Sequence, residues 1–202
     1  DPVVIFSTIN SARHLKRFYG CYFNEQLLCC NVYMSLLEVE PDEFLNSDHL
    51  YVTFEKLKND YRYYYDLFRN DSLFIRPNAG IKEFTGNVIP YSDASKEFEI
   101  MDTLYNVSQN SMILISTPKK IMEESRFIIG NDEILGYSRY RFNNESQIDL
   151  NTDSECIEFV ERILQKSKWR PEDLFTMDIA LTENGPKIIE LNSFSCSGWY
   201  GM

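Results

Sequence analysis

Met177-Asp178-Ile179-Ala180-Leu181-Thr182-Glu183-Asn184-Gly185-Pro186-Lys187-Ile188-Ile189-Glu190-Leu191-Asn192 decides how the chain is read. Two apolar, β-type runs flank Glu183-Asn184-Gly185-Pro186, which carries a turn signal, so the stretch predicts a β-hairpin. Acidic side chains interrupt both runs: Asp178 in the first, Glu190 in the second, with Asn192 two residues further on. A carboxylate inside an apolar strand is costly unless something pairs with it. A hard divalent cation takes oxygen ligands. Asp, Glu and Asn on neighbouring strands supply them and leave positions for phosphate oxygens and water, the way magnesium is usually held. The plainer reading is polar side chains facing water on a half-exposed sheet. It accounts for one such residue better than for a set followed at once by Ser193-Phe194-Ser195-Cys196-Ser197-Gly198.

The metal reading makes a geometric demand on this hairpin. Side chains alternate across a sheet, so positions 190 and 192 share a face. A two-residue Asn184-Gly185 turn would set Asp178 opposite Leu191 and send it to the far face from Glu190. An odd-length loop, or an equivalent bulge, brings Asp178, Glu190 and Asn192 to one face. Pro186 favours that outcome because it has no N–H for the pairing position of the tighter turn. The expectation is a three- or five-residue loop, or a bulge, with these side chains directed at the loop 78–86.

That loop lies upstream. Phe74-Ile75-Arg76-Pro77 is a strand ending in a cation, and Asn78-Ala79-Gly80-Ile81-Lys82-Glu83-Phe84-Thr85-Gly86 follows it. Glycines let backbone N–H groups approach an anion and Lys82 adds charge, so the segment suits a phosphate cover. It matches neither Gly-x-x-x-x-Gly-Lys-Ser/Thr nor Gly-x-Gly-x-x-Gly. Between loop and hairpin, Glu124-Ser125-Arg126 and Arg139-Tyr140-Arg141 place arginines on two strands read as Arg126 to Ile129 and Ile134 to Tyr140, joined by a turn at Asn131-Asp132. Period-two alternation puts Arg139 and Arg141 on one face, where they would grip phosphate or carboxylate; the alternative is cross-strand pairing with local acids.

Around these parts the pattern is mixed. Val3-Val4-Ile5-Phe6 reads as a strand and Ala12, Leu15 and Tyr19 as a helix stripe. Thr53 is placed to cap a helix whose stripe is Leu57, Tyr61, Tyr64, Tyr65 and Phe68. Further strands are expected at Leu73 to Arg76, Phe84 to Ile89 and Met112 to Ile115. Thr152-Asp153-Ser154-Glu155 reads as a capping box opening an amphipathic helix through Ile157, Val160, Ile163 and Leu164, ending near Trp169-Arg170-Pro171.

Composition narrows the function. The chain has 202 residues, 44% hydrophobic and 14% aromatic, enough for a sizeable core. Lys+Arg 20 against Asp+Glu 31 gives a net charge of −11. The acidic excess spreads over both halves, which argues against nucleic acid as partner, although Tyr61-Arg62-Tyr63-Tyr64-Tyr65 alone would suit a stacking platform. No apolar run approaches the roughly 20 residues that span a bilayer, and Asp1-Pro2-Val3-Val4-Ile5-Phe6 lacks the basic region of a signal peptide, so no membrane partner and a cytoplasmic location are expected. The five cysteines (21, 29, 30, 156, 196) form no Cys-x-x-Cys pair and the histidines are His14 and His49, which fits reduced thiols rather than zinc.

A strand ending in a cation, a glycine-containing loop, the strand Ile113-Leu114-Ile115-Ser116, an acid-x-Arg strand, and a hairpin ending Glu-x-Asn before a Ser/Gly turn together resemble the ATP-grasp superfamily. Phe74-Ile75-Arg76-Pro77 is similar to its Val-Val-Lys-Pro strand. Glu124-Ser125-Arg126, Gly130 and Arg139 resemble the Asp-x-Arg, Gly and second Arg of the ribosomal-protein glutamate ligases. Phe-Ile-Arg-Pro-Asn with Lys-x-Phe-Thr-Gly, and Ile-Glu-Leu-Asn-Ser-Phe-Ser-x-Ser-Gly-x-Tyr ending at Tyr200, resemble a little-characterised ATP-grasp group in bacteria and their phages. The resemblance covers residues 73–200, and more loosely the small α/β domain before it.

The resemblance implies an α+β fold: a small α/β domain over 1–60, then an ATP-grasp domain over 61–202 with a glycine-loop part at about 61–115 and a metal-site part at about 116–202. It implies Mg2+ and ATP as cofactors, with Asp178, Glu190 and Asn192 on the metal. Arg76, Lys82, Thr85, Gly86, Ile115 and Glu124 would contact the nucleotide, and Arg126, Arg139 and Arg141 the transferred phosphoryl and the carboxylate. The activity implied is carboxylate–amine ligation through an acylphosphate, with a small-molecule or peptide carboxylate and an amine acceptor. A phosphotransferase, a nucleic-acid-modifying enzyme or a non-catalytic binding protein on the same fold are the alternatives. Cys196 reads as a bystander thiol. Arg76 stands where the superfamily commonly has lysine, and the chain stops ten residues after Asn192 where relatives continue into a helix. Oligomeric state and acceptor identity are left open.

Overall fold

The computed structural model describes residues 38–78, 83–194 and 197–202. The strand and helix expected within residues 3–19, and Lys82, lie outside the described residues. Among the described residues two antiparallel sheets make the framework. The first has the order β1 (Leu50–Thr53), β4 (Met112–Ser116), β2 (Ser72–Pro77), β3 (Asn87–Pro90), with helices α1 (Phe54–Phe68) and α2 (Ala94–Thr103). The second has the order β7 (Glu145–Asp149), β6 (Glu133–Phe142), β5 (Ile121–Gly130), β8 (Leu174–Thr182), β9 (Gly185–Ser193), with helix α3 (Ser154–Lys166).

Each sheet buries one face under helix. Thr53 caps α1 by accepting the Lys56 N–H, and Phe54, Leu57, Tyr64 and Tyr65 pack with Leu73, Ile75, Ile113 and Ile115 as the apolar spacing predicts. On the second sheet Phe127, Ile129, Phe175, Met177, Ile179 and Leu191 meet Cys156, Phe159, Val160 and Ile163 of α3. Truncating a fully buried aromatic such as Phe54 or Phe127 to alanine would cost roughly 3–5 kcal/mol. The opposite faces of the two sheets are then left to look at one another.

Two crossings within the described residues join the sheets, and both are tied down. Residues 44–49 leave the second sheet, where the Leu45 N–H donates to Ile188 O (2.9 Å), and enter the first as β1. Thr117-Pro118-Lys119-Lys120 makes the return. Asp48 accepts from the Thr117 N–H (3.1 Å), Thr117 Oγ1 (2.5 Å) and Lys119 Nζ (2.8 Å), and Asn46 Oδ1 accepts from Ser116 Oγ (3.0 Å).

Some details differ from the sequence reading. Asp60, at the expected boundary, is a kink within α1 (φ −114°, ψ 21°), with Phe54 and Leu57 before it and Tyr64 and Tyr65 after it in one core. The strand expected from Phe84 starts at Asn87, after the two bends that carry Glu83 and Phe84. The α3 N-cap is Asp153, which accepts the Glu155 N–H, because the Thr152 hydroxyl is used by the buried Glu123 instead. The Asn131-Asp132 turn is present with both residues at positive φ (52° and 65°), which suits the right-handed twist of a tight hairpin.

Candidate active site

The two uncovered sheet faces enclose a cleft of about 400 Å³, lined by Arg76, Gly86, Lys119, Glu124, Arg141 and Glu190 among others. Its geometry begins with the β8–β9 register. A two-residue turn at Glu183-Asn184 pairs Thr182 with Gly185, and Gly185 adopts φ +84°, a conformation that favours glycine. That register alone would separate Asp178 from Glu190. A bulge at Ile189 shifts it, so that Asp178 stands directly opposite Glu190 and Thr176 opposite Asn192. The odd-length loop is therefore absent and the equivalent bulge is what brings the three side chains to one face.

Arginines hold both carboxylates. Arg126, directly opposite Asp178 on the other side of β8, donates from Nε (2.7 Å) and Nη2 (2.6 Å) to its two oxygens. Arg126 Nη1 donates to Gly198 O (3.1 Å), and the ring of Tyr200 lies over the guanidinium at 4.9 Å, stacked in turn on Tyr140. Arg76 reaches across from the first sheet and donates to Glu190 Oε2 at 2.7 Å. Asn192 Nδ2 donates to Glu190 Oε1 (3.0 Å), leaving its carbonyl oxygen as an acceptor. Desolvation, aided by Glu190 and Glu124, pushes the buried Asp178 carboxyl up to about 6 in spite of Arg126. Arg126 itself, although desolvated, is held protonated more firmly than usual by Asp178.

The other expected residues divide. Glu124 shares the cleft face and accepts from Tyr140 OH (2.8 Å) and Arg141 Nη1 (2.9 Å). Thr85 and Gly86 line the cleft. A Cβ on Gly86 would sit 3.0 Å from the Phe74 ring and 3.3 Å from Arg76 Cβ, so glycine permits a close approach there. Arg139 does not join Arg141. The β5–β6 ladder shifts between Glu124/Arg141 and Ser125/Arg139, leaving Tyr140 as an extra residue, so Arg141 shares the face of Glu124 while Arg139 shares that of Ser125. Arg139 pairs there with Asp149 (3.0 Å) and Glu123 (3.6 Å). Ile115 is fully buried beneath the helices; Leu114 is the β4 residue paired with Arg76. Leu45, Asn46, Lys119 and Tyr200 were not among the expected site residues; Lys119, in a dibasic pair after a β-run, and Tyr200, at the end of the Ser-Gly-x-Tyr motif, left a visible signal.

The donor set fits a hard cation: two opposed carboxylates and an amide oxygen, with Glu124 on the same face. Among the described residues no three His, Cys, Asp or Glu side chains cluster into a ready-made metal site.

A family model described as an ATP-grasp domain, the second family of its clade, matches residues 53–202. The chain belongs to the ATP-grasp family. Solved structures share the fold at low identity. D-cycloserine synthetase DcsG matches at 11% identity over 84% of this chain and 63% of its own, with a TM-score of 0.56. The D-alanine–D-alanine ligase of Bacillus anthracis matches at 13% over 84% and 58%, TM-score 0.57. The macrocyclase MdnC of Microcystis aeruginosa, bound with its precursor peptide MdnA, matches at 11% over 85% and 52%, TM-score 0.53. Comparison with curated proteins by sequence yields no match. The chain spans roughly half the length of the first ATP-grasp structures it matches, which are of the ligase PsnB. No helix among the described residues is long and apolar enough to cross a membrane.

Proposed function

We propose that the chain is the nucleotide- and metal-binding part of an ATP-dependent carboxylate–amine ligase, with the division from the preceding unit before residue 40 rather than at residue 60, since Glu43 pairs with Arg162 and residues 44–49 tie the two sheets together. The observation that carries this reading is the set Asp178, Glu190 and Asn192 on one sheet face, opposite Arg76 and the glycine segment of the other sheet. Asp178, Glu190 and Asn192 would hold magnesium, which when bound neutralises phosphate charge. Arg76 and Lys119 at the cleft are placed to bind the polyphosphate, and Gly86 leaves room for it.

In the reaction the γ-phosphoryl passes to a carboxylate oxygen, releasing ADP, and an amine then attacks the acyl carbon, expelling phosphate and losing a proton. Arg126 and Arg141 orient the carboxylate and offset the charge that develops on the transferred group. No protein nucleophile is required. Buried Cys156, whose thiol desolvation pushes up to about 12, is unsuited to be one. The acceptor class proposed is a peptide or small molecule rather than nucleic acid, and the relatives crystallised with precursor peptides favour the peptide.

The test is to incubate the protein with Mg-ATP and pooled carboxylates, amines and peptides and to separate the nucleotides. ADP with phosphate, dependent on the pool, supports the reading. AMP, or no turnover with any pool, contradicts it.

A further inference from the structure

Each proposed metal ligand with a negative charge is already engaged by an arginine proposed to bind phosphate or substrate. Arg76 joins Glu190 at 2.7 Å across the two sheets, with side chains 15% and 9% exposed. Arg126 joins Asp178 at 2.6 Å, with side chains 8% and 3% exposed. Asp178 and Glu190 are direct cross-strand neighbours, and like charges so placed repel. The arginines therefore supply the counter-charge that keeps the carboxylates together. Breaking one such buried pair leaves an uncompensated charge, so neither partner departs cheaply unless a replacement arrives for the other. A cation alone must push an arginine off its carboxylate, which costs that arginine its charged partner. A polyphosphate alone must draw the arginine away, which costs the carboxylate its counter-charge. Arriving together, each satisfies the group that the other releases.

We propose that Arg76 and Arg126 are positioning residues as well as phosphate or substrate contacts: internal counter-ions that hold Glu190 and Asp178 in register and exchange partners when metal and nucleotide enter together. Arg76 has the larger part, since its exchange also opens a bridge between the sheets. The proposal rests on the ATP-dependent reading above.

The experiment is calorimetric titration of the full chain with Mg2+ alone, with ADP alone and with both, for the parent, Arg76→Met and Arg76→Lys, each checked by thermal unfolding. Removing the internal competitor tightens binding of Mg2+ alone to Arg76→Met by about tenfold, a size ordinary for couplings between sites, while binding of Mg-ADP weakens. Arg76→Lys, which keeps a cation but not the planar fork, falls between parent and Met variant and decides the matter should the Met variant not fold. An unchanged affinity for Mg2+ alone with weaker ADP makes Arg76 a simple phosphate contact and overturns the exchange. Weaker binding of both makes it structural and overturns it equally. A parent that binds neither Mg2+ nor ADP overturns the ATP-dependent reading itself, a failure visible before any variant is made.

Discussion

Asp178 stands directly opposite Glu190 because Ile189 is bulged out of the β8–β9 ladder. Were Ile189 paired in a regular ladder it would itself stand opposite Asp178, the two carboxylates would point to opposite faces of the sheet, and Asp178 would have no partner for a shared ligand. The bulge is thus the local feature on which the proposed metal site depends, and bulges beside functional sites commonly re-aim a side chain in this way.

Replacement of Glu190 by glutamine keeps shape and removes charge. Steady-state turnover of ATP should fall by about a hundredfold or more, the scale expected when one positioned electrostatic contact to the reacting group is lost. The melting temperature should move only a few degrees, since the amide oxygen still accepts from Arg76, and the lost counter-charge is offset by relief of the repulsion from Asp178 directly opposite. Parent-like turnover would remove Glu190 from the proposed site.

Arg126→Lys is not a conservative change. Lysine cannot reproduce the two parallel bonds to Asp178, nor stack its planar group on Tyr200. In initial-rate kinetics kcat should fall more than KM for ATP rises, because the contact to the developing phosphoryl charge is made mainly in the transition state. A raised KM with kcat intact would assign Arg126 to ground-state binding.

Arg139 and Arg141 should behave differently although only Tyr140 separates them. Arg141→Gln leaves Glu124 with Tyr140 alone on the cleft face, and should lower activity at nearly unchanged stability. Arg139→Gln removes a partner of buried Glu123 on the helix-covered face, and should cost about 1–2 kcal/mol in urea unfolding with little change in KM for ATP. The reverse pattern would mean that the register shift at Tyr140 is wrong.

Gly86→Ala tests the close approach of the glycine segment. The added methyl meets the Phe74 ring and the Arg76 stem at 3.0–3.3 Å, and the ring can yield by a few tenths of an ångström more easily than the strand. The expected outcome is a few-fold weaker binding of ADP, read by calorimetry, with the fold intact. Unchanged affinity would place the nucleotide elsewhere.

Much of this was legible in the sequence wherever one residue type was out of place in its run. Asp178, Glu190 and Asn192 stood out because acids and amides are rare in apolar strands, and Pro186 signalled an irregular hairpin without saying where the irregularity sits. Period-two reasoning failed at Tyr140, since a bulge is one unpaired residue with no compositional mark, and so Arg139 was assigned to the wrong face. Ile115 was expected from the resemblance alone, and nothing in an all-apolar run reveals which side meets the helices. Strand β7 was missed because Glu145-Ser146-Gln147-Ile148-Asp149 is polar and largely exposed, although Asn143-Asn144, at φ 49° and 67°, repeats the turn chemistry of Asn131-Asp132. Helix α2 did carry a signal in Ala94, Phe98 and Met101 at helical spacing, all buried. Leu45 and Asn46 enter the site only through long-range packing, which no local pattern encodes.

The central claim is that the face carrying Asp178, Glu190 and Asn192 binds the metal of a metal–nucleotide complex. Anomalous diffraction from crystals grown with Mn2+ and ADP tests it most directly. The account predicts a manganese peak within coordination distance of the Asp178 and Glu190 carboxylates and of a phosphate oxygen, with Arg76 moved from Glu190 onto the nucleotide. A peak elsewhere, or ADP bound in the cleft with both arginine–carboxylate pairs intact, would contradict it.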